Sequence, residues 1–295
     1  MFRNALVGVD FRQGGRDAIA LAAQLVDRDS TIALSHVYAG RFMPSHAVAP
    51  GVVREERERA ETELRAARAE AGIDAELIVT QGPTPGRVLH ELAEERDCDL
   101  LVLGSCHRGV LGRAMLGDDT RASTDGAPCA VAVAPGGYDE RAAAIATIGV
   151  AYNGSAESRA ALELARRLAG PLHAQIRALH IISLSPYDYS TVGAVLLDEI
   201  NKRVDDADAR MKSLTGVDGR AEYGLPDSDL EAFGAEVDLL IVGSRGYGPW
   251  GRLVHGSTSA QLARHSRGPL LIVPRLVPQK AADEELEETP SGVGA

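Results

Sequence analysis

A glycine-rich stretch in the second half of the chain has the residue types and spacing of a phosphate-binding loop. It follows an apolar run, 239–242, that is typical of a buried strand, and its spacing is G-x2-G-x9-G-S. Glycines at these points let backbone N–H groups approach an anion, and the serine at the start of the next helical segment adds a hydroxyl donor. The sequence therefore predicts a phosphate cradle without a lysine, formed by Gly243, Gly246, Gly256 and Ser257.

The corresponding stretch of the first half keeps only part of this pattern. Gly104 and Gly117 are in place, but His107 stands at the second glycine position and Asp118 at the position of the hydroxyl residue. A carboxylate about 4 Å from a phosphate charge costs about 4 kcal/mol at an effective dielectric of about 20. Asp118 can also cap the helix that follows. We therefore expect the first half to bind phosphate weakly or not at all, unless a metal ion bridges Asp118 to the phosphate.

Other nucleotide-binding and catalytic motifs fit less well. Residues 251–258 have the outline of a P-loop but no Walker lysine. Residues 13–17 are similar to the SGGxDS loop of ATP pyrophosphatases but have neither serine. No G-x-G-x-x-G follows a first strand and no G-x-S-x-G is present, so Rossmann dehydrogenase and α/β-hydrolase functions have no support.

The histidines and cysteines show no metal-ligand spacing. The eight histidines include no H-x-H or H-x3-H pair, and the three cysteines include no C-x2-C. His36 and His180, at the ends of predicted strands, are interpreted as structural residues, with contact to a nucleotide base as the alternative. Cys106 stands beside His107 and Arg108, which would lower its thiol pKa, but an inert thiol is the simpler interpretation.

An internal repeat organises the elements that carry these residues. Segments 5–10 and 147–153 each open a strand pattern, and each is followed by an amphipathic helical segment with the same stripe of apolar residues. Further strand patterns recur in the same order in both halves. Because strands and helices alternate, each half is predicted to be an α/β unit with an open parallel sheet of about five strands.

The repeat also predicts the domain boundaries. Residues 1–138 form the domain with the degenerate loop, residues 145–276 form the domain with the intact loop, and residues 277–295 are an acidic tail to which no structure is assigned. The fifth strands, 129–135 and 269–274, are apolar and would each leave an open sheet edge, which natural proteins cover or pair.

Composition excludes several classes of function. The 295 residues carry a formal net charge of −11, which disfavours diffuse attraction to nucleic acid or to an anionic membrane. No apolar run approaches the roughly 18 residues of a membrane span, and the N-terminus shows no secretory pattern. The odd number of cysteines predicts reduced thiols in a cytosolic protein.

The repeat and the G-x2-G-x9-G-S loop together resemble the universal stress protein family in its tandem two-domain form, over residues 1 to about 276. The resemblance implies Rossmann-like domains of the adenine-nucleotide alpha-hydrolase type. It implies ATP as the ligand, with or without Mg²⁺. The resemblance places the phosphates on Gly243, Gly246, Gly256, Ser257 and Ser259 and the nucleoside near Asn153 and Ile181. The equivalent first-half positions are Asp10 and Val37. Asn153 departs from the Asp usual in the family and loses a charge-assisted hydrogen bond to ribose.

The resemblance also implies how the chain assembles and acts. In the family the fifth-strand edges pair two-fold, so the two halves are expected to form a pseudo-dimer within one chain, with a homodimer as a further level. The function expected is that of an adenine-nucleotide-binding stress-response protein acting as a sensor or regulator. One alternative is an enzyme that slowly hydrolyses ATP or transfers a phosphoryl group to Ser257 or a neighbouring residue. The other is an interaction scaffold that binds no nucleotide.

Overall fold

The computed structural model describes residues 1–38, 50–105, 127–141, 143–183, 194–244 and 257–274. The strands are β1 Phe2–Gly8, β2 Val26–Tyr38, β3 Glu76–Gln81, β4 Leu100–Gly104, β5 Ala130–Ala134, β6 Thr147–Ala151, β7 Gln175–Ile182, β8 Asp218–Tyr223, β9 Leu239–Gly243 and β10 Leu270–Val273. The helices are α1 Gln13–Leu25, α2 Pro50–Ala71, α3 Pro85–Glu95, α4 Tyr138–Arg141, α5 Ala156–Leu172, α6 Ala194–Lys212, α7 Pro226–Gly234 and α8 Ser257–His265.

Each half is a parallel sheet with a crossover topology. The strand order is β3-β2-β1-β4-β5 in the first half and β10-β9-β6-β7-β8 in the second. All strand pairs within a half are parallel. The predicted fold class, two tandem open parallel α/β sheets, is therefore confirmed.

The two halves share one sheet because their fifth strands pair. Strands β5 and β10 run antiparallel, with Leu271 opposite Ala132 and neither residue exposed. The described strands thereby form a ten-stranded sheet in which β3 and β8 are the outer strands. Pairing of the fifth-strand edges within one chain is the arrangement that the family resemblance implies.

Buried apolar side chains form two clusters, one on each face of the sheet. Alternation along β4 shows the division, since Leu100 and Val102 belong to one cluster and Leu101 and Leu103 to the other. Both clusters contain residues of both halves, so the apolar core is continuous across the junction. The predicted helix stripes are buried in both α1 and α5.

A buried carboxyl group connects α1 to the segment that follows β5. Asp17 in α1 has no exposed surface, and its two carboxyl oxygens accept the N–H groups of Gly137, at 2.9 Å, and Asp139, at 3.0 Å. Gln13 donates to both Asp17 and Asp139. Burial raises the pKa of Asp17, although the hydrogen bond from the Asp139 N–H lowers it. This contact fixes the start of the connection between the halves.

Candidate functional site

The carboxyl ends of three neighbouring strands bring the predicted second-half residues to one edge of the sheet. Strand β6 lies between β7 and β9, with Ala151 opposite Leu179 and Val150 opposite Ile241. Asn153 follows β6, Ile181 lies near the end of the β7 ladder, and Gly243 ends β9. Ligands of open parallel sheets bind at this edge.

Asn153 forms the turn that leads from β6 into α5. Its side-chain Oδ1 accepts the N–H of Ser155 at 3.0 Å, and Gly154 takes a left-handed conformation with φ of +78°. Ser155 then caps the helix by accepting the N–H of Ser158 through its Oγ at 3.2 Å. Asn153 is exposed, so its side-chain amide can reach a ligand at the sheet edge.

Gly243 is required by a close approach between strand and helix. A Cβ at this position would lie 2.6 Å from the backbone carbonyl carbon and oxygen of Glu157, in the first turn of α5. Gly104 has the same role in the first half, where a Cβ would lie 2.0 Å from the carbonyl oxygen of Gly14 in α1. Helix packing therefore accounts for both glycines whether or not a phosphate binds nearby.

A serine follows each of these glycines and is buried with no hydrogen-bond partner for its hydroxyl among the described residues. The backbone N–H of Ser244 donates to Val273, and that of Ser105 to Ala134, both at 2.9 Å. The sequence interpretation did not single out these two residues. The signal that could have found them is the Gly-Ser pair that ends the fourth strand in both halves.

The far end of the glycine-rich spacing lies at a helix start. Ser257 is the first residue of α8, and Ser259, in its first turn, is buried. N–H groups at such a position have no partner within the helix and can bind an anion. Gly246 and Gly256 lie outside the described residues.

The first half has the same turn as the second. Asp10 Oδ1 accepts the N–H of Arg12 at 3.0 Å and that of Gly15 at 2.9 Å, so this carboxylate orders the start of α1. Val37, the expected counterpart of Ile181, lies in β2 and is half-buried, as Ile181 is in β7. Cys106, His107, Gly117 and Asp118 lie outside the described residues.

The two histidines at the strand ends have different surroundings. The ring of His36 stacks on Phe11, with 4.0 Å between ring centroids, and its Nδ1 donates to the carbonyl oxygen of Val9 at 2.7 Å. His180 has neither contact among the described residues. Burial lowers the pKa of His180, and the charge of Arg210 lowers it further, so a neutral imidazole is favoured at this edge.

Comparison with known proteins decides the family. The model of the universal stress protein family matches this chain twice, at residues 1–135 and 145–274. This chain belongs to the universal stress protein family.

Relatives extend the match along almost the whole chain. A universal stress protein of Mycobacterium tuberculosis is 27% identical over 285 residues, covering 92% of this chain and 97% of its own. The crystal structure of a universal stress protein from Archaeoglobus fulgidus has the same fold, with a TM-score of 0.66 at 17% identity, over 92% of this chain and 98% of that one.

One solved universal stress protein is in complex with cAMP. It is 25% identical and covers 35% of this chain and 76% of its own, with a TM-score of 0.29. The cyclic nucleotide is a ligand of that particular protein, and the similarity is too low to transfer it to this chain.

In the described part of this universal stress protein, the cysteines and the other titratable groups form no second candidate site. Cys98 and Cys129 are free and buried, and burial raises the pKa of the Cys98 thiol to about 11 and that of Cys129 to about 12. Both thiols are therefore neutral and unreactive near pH 7. Within the described ranges, no three His, Cys, Asp or Glu side chains are grouped to hold a metal ion.

No described helix is long and apolar enough to cross a membrane.

Proposed function

We propose that the second half of this chain binds an adenine nucleotide, with ATP as the ligand, and that the protein acts as a nucleotide-responsive sensor or regulator. One observation carries the proposal: the two ends of the G-x2-G-x9-G-S spacing are a strand end and a helix start. Gly243 ends β9 at the carboxyl edge, and Ser257 begins α8. A loop that runs from a parallel strand to a helix N-terminus is a common phosphate site in α/β proteins.

The described residues fit the parts of the ligand. The exposed amide of Asn153 can hydrogen-bond a ribose hydroxyl, and the half-buried side chain of Ile181 offers apolar contact to a base. Ser257 begins α8, and N–H groups at a helix start can donate to phosphate oxygens. The buried hydroxyl of Ser244, unpartnered among the described residues, supplies one more polar atom at the end of β9.

Magnesium would enter this proposal only with the nucleotide. Mg²⁺ is commonly held by phosphate oxygens, one or two carboxylates and water rather than by a dedicated protein cage. The absence of a His, Cys, Asp or Glu cluster from the described residues is compatible with that mode of binding.

Calorimetry on nucleotide-free protein tests the proposal. We expect about one ATP per chain, because the first half carries Asp118 and His107 in its loop. G246V should abolish binding, since a side chain would separate the backbone from the phosphate. G170A is the control, because a Cβ at Gly170 meets nothing within 4 Å.

Three results would contradict parts of this proposal. Two equivalent tight sites would refute the assignment of the nucleotide to the second half. Wild-type affinity in folded G246V would refute the phosphate assignment. Rapid release of ADP and phosphate during incubation with ATP would show that the protein is an enzyme rather than a regulator.

The proposal also includes a homodimer and a cytosolic location, which light scattering and cell fractionation measure.

A further inference from the structure

The free edge of β3, one of the two outer strands of the sheet, carries backbone groups without partners. Backbone groups along a strand point alternately to its two sides. The N–H of Gly82, just after β3, donates to Tyr38 at 3.1 Å, so the even-numbered residues of β3 face β2. The N–H and C=O groups of Leu77, Val79 and Gln81 therefore point away from the sheet. No hydrogen bond to these groups is found in the described part of the chain.

The edge of β8, the other outer strand, is covered by a side chain of the preceding helix. The N–H of Gly224 donates to Ile182 at 3.0 Å, so the odd-numbered residues of β8 point outward. Among these, Ala221 donates its N–H to the carboxylate of Asp208 in α6 at 3.1 Å. The hydrogen bond from Lys212 lowers the pKa of Asp208, and the bond from Ala221 lowers it further. The acceptor that covers this edge is therefore ionised near neutral pH.

The side chains of the two outer strands differ in the same sense. Charged residues occupy alternate positions of β8: Asp218, Arg220 and Glu222. Charges of this kind keep natural sheet edges from pairing. Residues 77–81 of β3 carry no charge, and the carboxylate of Glu76 is bound by the guanidinium of Arg96 at 2.6 and 2.7 Å. An uncharged strand with an unpaired edge is a ready site for pairing with another strand.

We propose that the β3 edge is the surface through which two copies of this chain pair, antiparallel about a two-fold axis at Val79. Leu77 of each copy then lies opposite Gln81 of the other. Ile78 lies opposite Thr80. The outward groups of residues 77, 79 and 81 would form about six hydrogen bonds between the copies. The inference rests on the homodimer of the proposed function and names the surface that forms it.

A second copy fits this edge better than a head-to-tail neighbour does. A two-fold pair uses β3 of both copies and leaves β8 at both ends of the joined sheet, where Asp208 prevents further strand addition. Because residues 77–81 are uncharged, the pairing places no like charges opposite each other. Contact of β3 with β8 would have to displace Asp208 from Ala221, and it would extend into a fibre. The edges therefore favour a dimer that closes on itself.

Sedimentation velocity on the full chain tests the inference. Wild type should be a dimer, and V79P should be a monomer. Proline removes the central outward N–H and is tolerated in an edge strand whose N–H points to solvent. V79T is the control, because threonine keeps the N–H and a β-branched side chain, and it should stay dimeric.

A lysine at the end of each outer strand separates the two edges. Gln81 ends β3 and Tyr223 ends β8, and both side chains are exposed. Q81K should raise the dimer dissociation constant by at least about tenfold, because it places a charge opposite Leu77 of the other copy. Y223K is the matched control, and its dissociation constant should stay within about threefold of wild type, since β8 takes no part in the pairing.

Amide hydrogen exchange measures the pairing at the edge itself. The N–H groups of Leu77 and Gln81 should exchange slowly in the dimer and rapidly after dilution to monomer. The N–H groups of Ile78 and Thr80 face β2, so their exchange should not depend on protein concentration. A variant that only loosened the fold would change both sets together.

The outcomes separate this inference from the function on which it rests. A monomeric wild-type chain refutes the inference and the homodimer, and calorimetry still decides nucleotide binding. A dimer that persists in folded V79P refutes the inference alone. If V79P does not fold, Q81K decides: a dimer as tight as wild type overturns the inference, and a weakened one supports it.

Two further results would assign the edges differently. Slow exchange of Leu77 and Gln81 in the dilute monomer would show that a segment of the same chain covers the β3 edge. Growth beyond a dimer would show that β8 is open to strand addition. Either result overturns the inference.

Discussion

Gly104→Ala should destabilise the first half strongly although it adds only one methyl group. The new Cβ would lie 2.0 Å from the carbonyl oxygen of Gly14, 2.4 Å from its carbonyl carbon and 2.6 Å from its Cα. All three atoms belong to the backbone, so no side-chain rotation relieves the overlap. The first turn of α1 must instead move away from β4 by roughly 1 Å.

The loss in unfolding free energy can be estimated from substitutions that insert methyl groups into well-packed cores. Inserted methyl groups that force a backbone shift cost about 1–3 kcal/mol, and a direct clash with backbone places G104A near the upper end, about 3 kcal/mol. With a urea dependence of about 2 kcal/mol per molar, the midpoint of the transition that reports the first half should fall by about 1.5 M.

Urea unfolding followed by far-ultraviolet circular dichroism measures this effect. The control is G170A in α5, where a Cβ meets nothing within 4 Å and alanine favours the helix by about 0.5–1 kcal/mol. G104A should unfold earlier than wild type and G170A slightly later. A G104A midpoint equal to that of wild type would show that the approach of α1 to β4 is looser than the structure has it, and would refute the reasoning.

Two further predictions concern buried contacts. Asp17→Asn should lower the free energy of unfolding by about 1–3 kcal/mol. The carboxyl group accepts hydrogen bonds from two backbone N–H groups through its two oxygens, and the single amide oxygen of asparagine can replace only one of those oxygens. Since the native pKa of Asp17 is raised, the contribution of its carboxyl group to stability is fully present below the unfolded pKa of about 3.8 and falls as the pH rises through the native pKa. The difference in unfolding free energy between wild type and D17N should therefore be largest at acid pH, and a pH-independent difference would contradict this. Leu271→Ala, at the β5–β10 junction, should lower the free energy of unfolding by about 2–5 kcal/mol, measured by thermal or urea unfolding. Leu225→Ala is the control, because this side chain is 68% exposed, and it should change the free energy of unfolding by less than about 0.5 kcal/mol.

The sequence predicts the strands and helices well because buried residues are apolar and recur with the period of the element that carries them. The apolar run of β4 is buried on both faces, and the stripes of α1 and α5 are the helix surfaces that pack on the sheet. An apolar strand at the end of each half also predicts that its edge must be covered, and β5 and β10 cover each other.

The candidate site is predicted less completely. The spacing identifies Gly243 and Ser257, and the structure places them at a strand end and a helix start, but the assignment of phosphate to them remains a prediction. The loop interpretation did not anticipate that Gly243 is already required by the backbone of Glu157. Asn153 was assigned to ribose, and its Oδ1 is also occupied in ordering the turn before α5.

The repeat and its periodicity by themselves determined that this chain consists of two parallel α/β halves, because those features depend only on which residues avoid water. That the halves join at their fifth strands was implied by the family resemblance, and the structure shows the pairing of β5 with β10. Only the tertiary structure decided which side chains meet across the sheet edge. Phe11 stacks on His36, and Asp17 accepts the N–H of Gly137, although the members of each pair are distant in sequence. The buried hydroxyl of Ser244 has no hydrogen-bond partner in the described part of the chain. Such contacts depend on the register of the strands and on how closely each helix packs on the sheet, because these fix interatomic distances to within an ångström. Neither property produces a periodic pattern in the sequence.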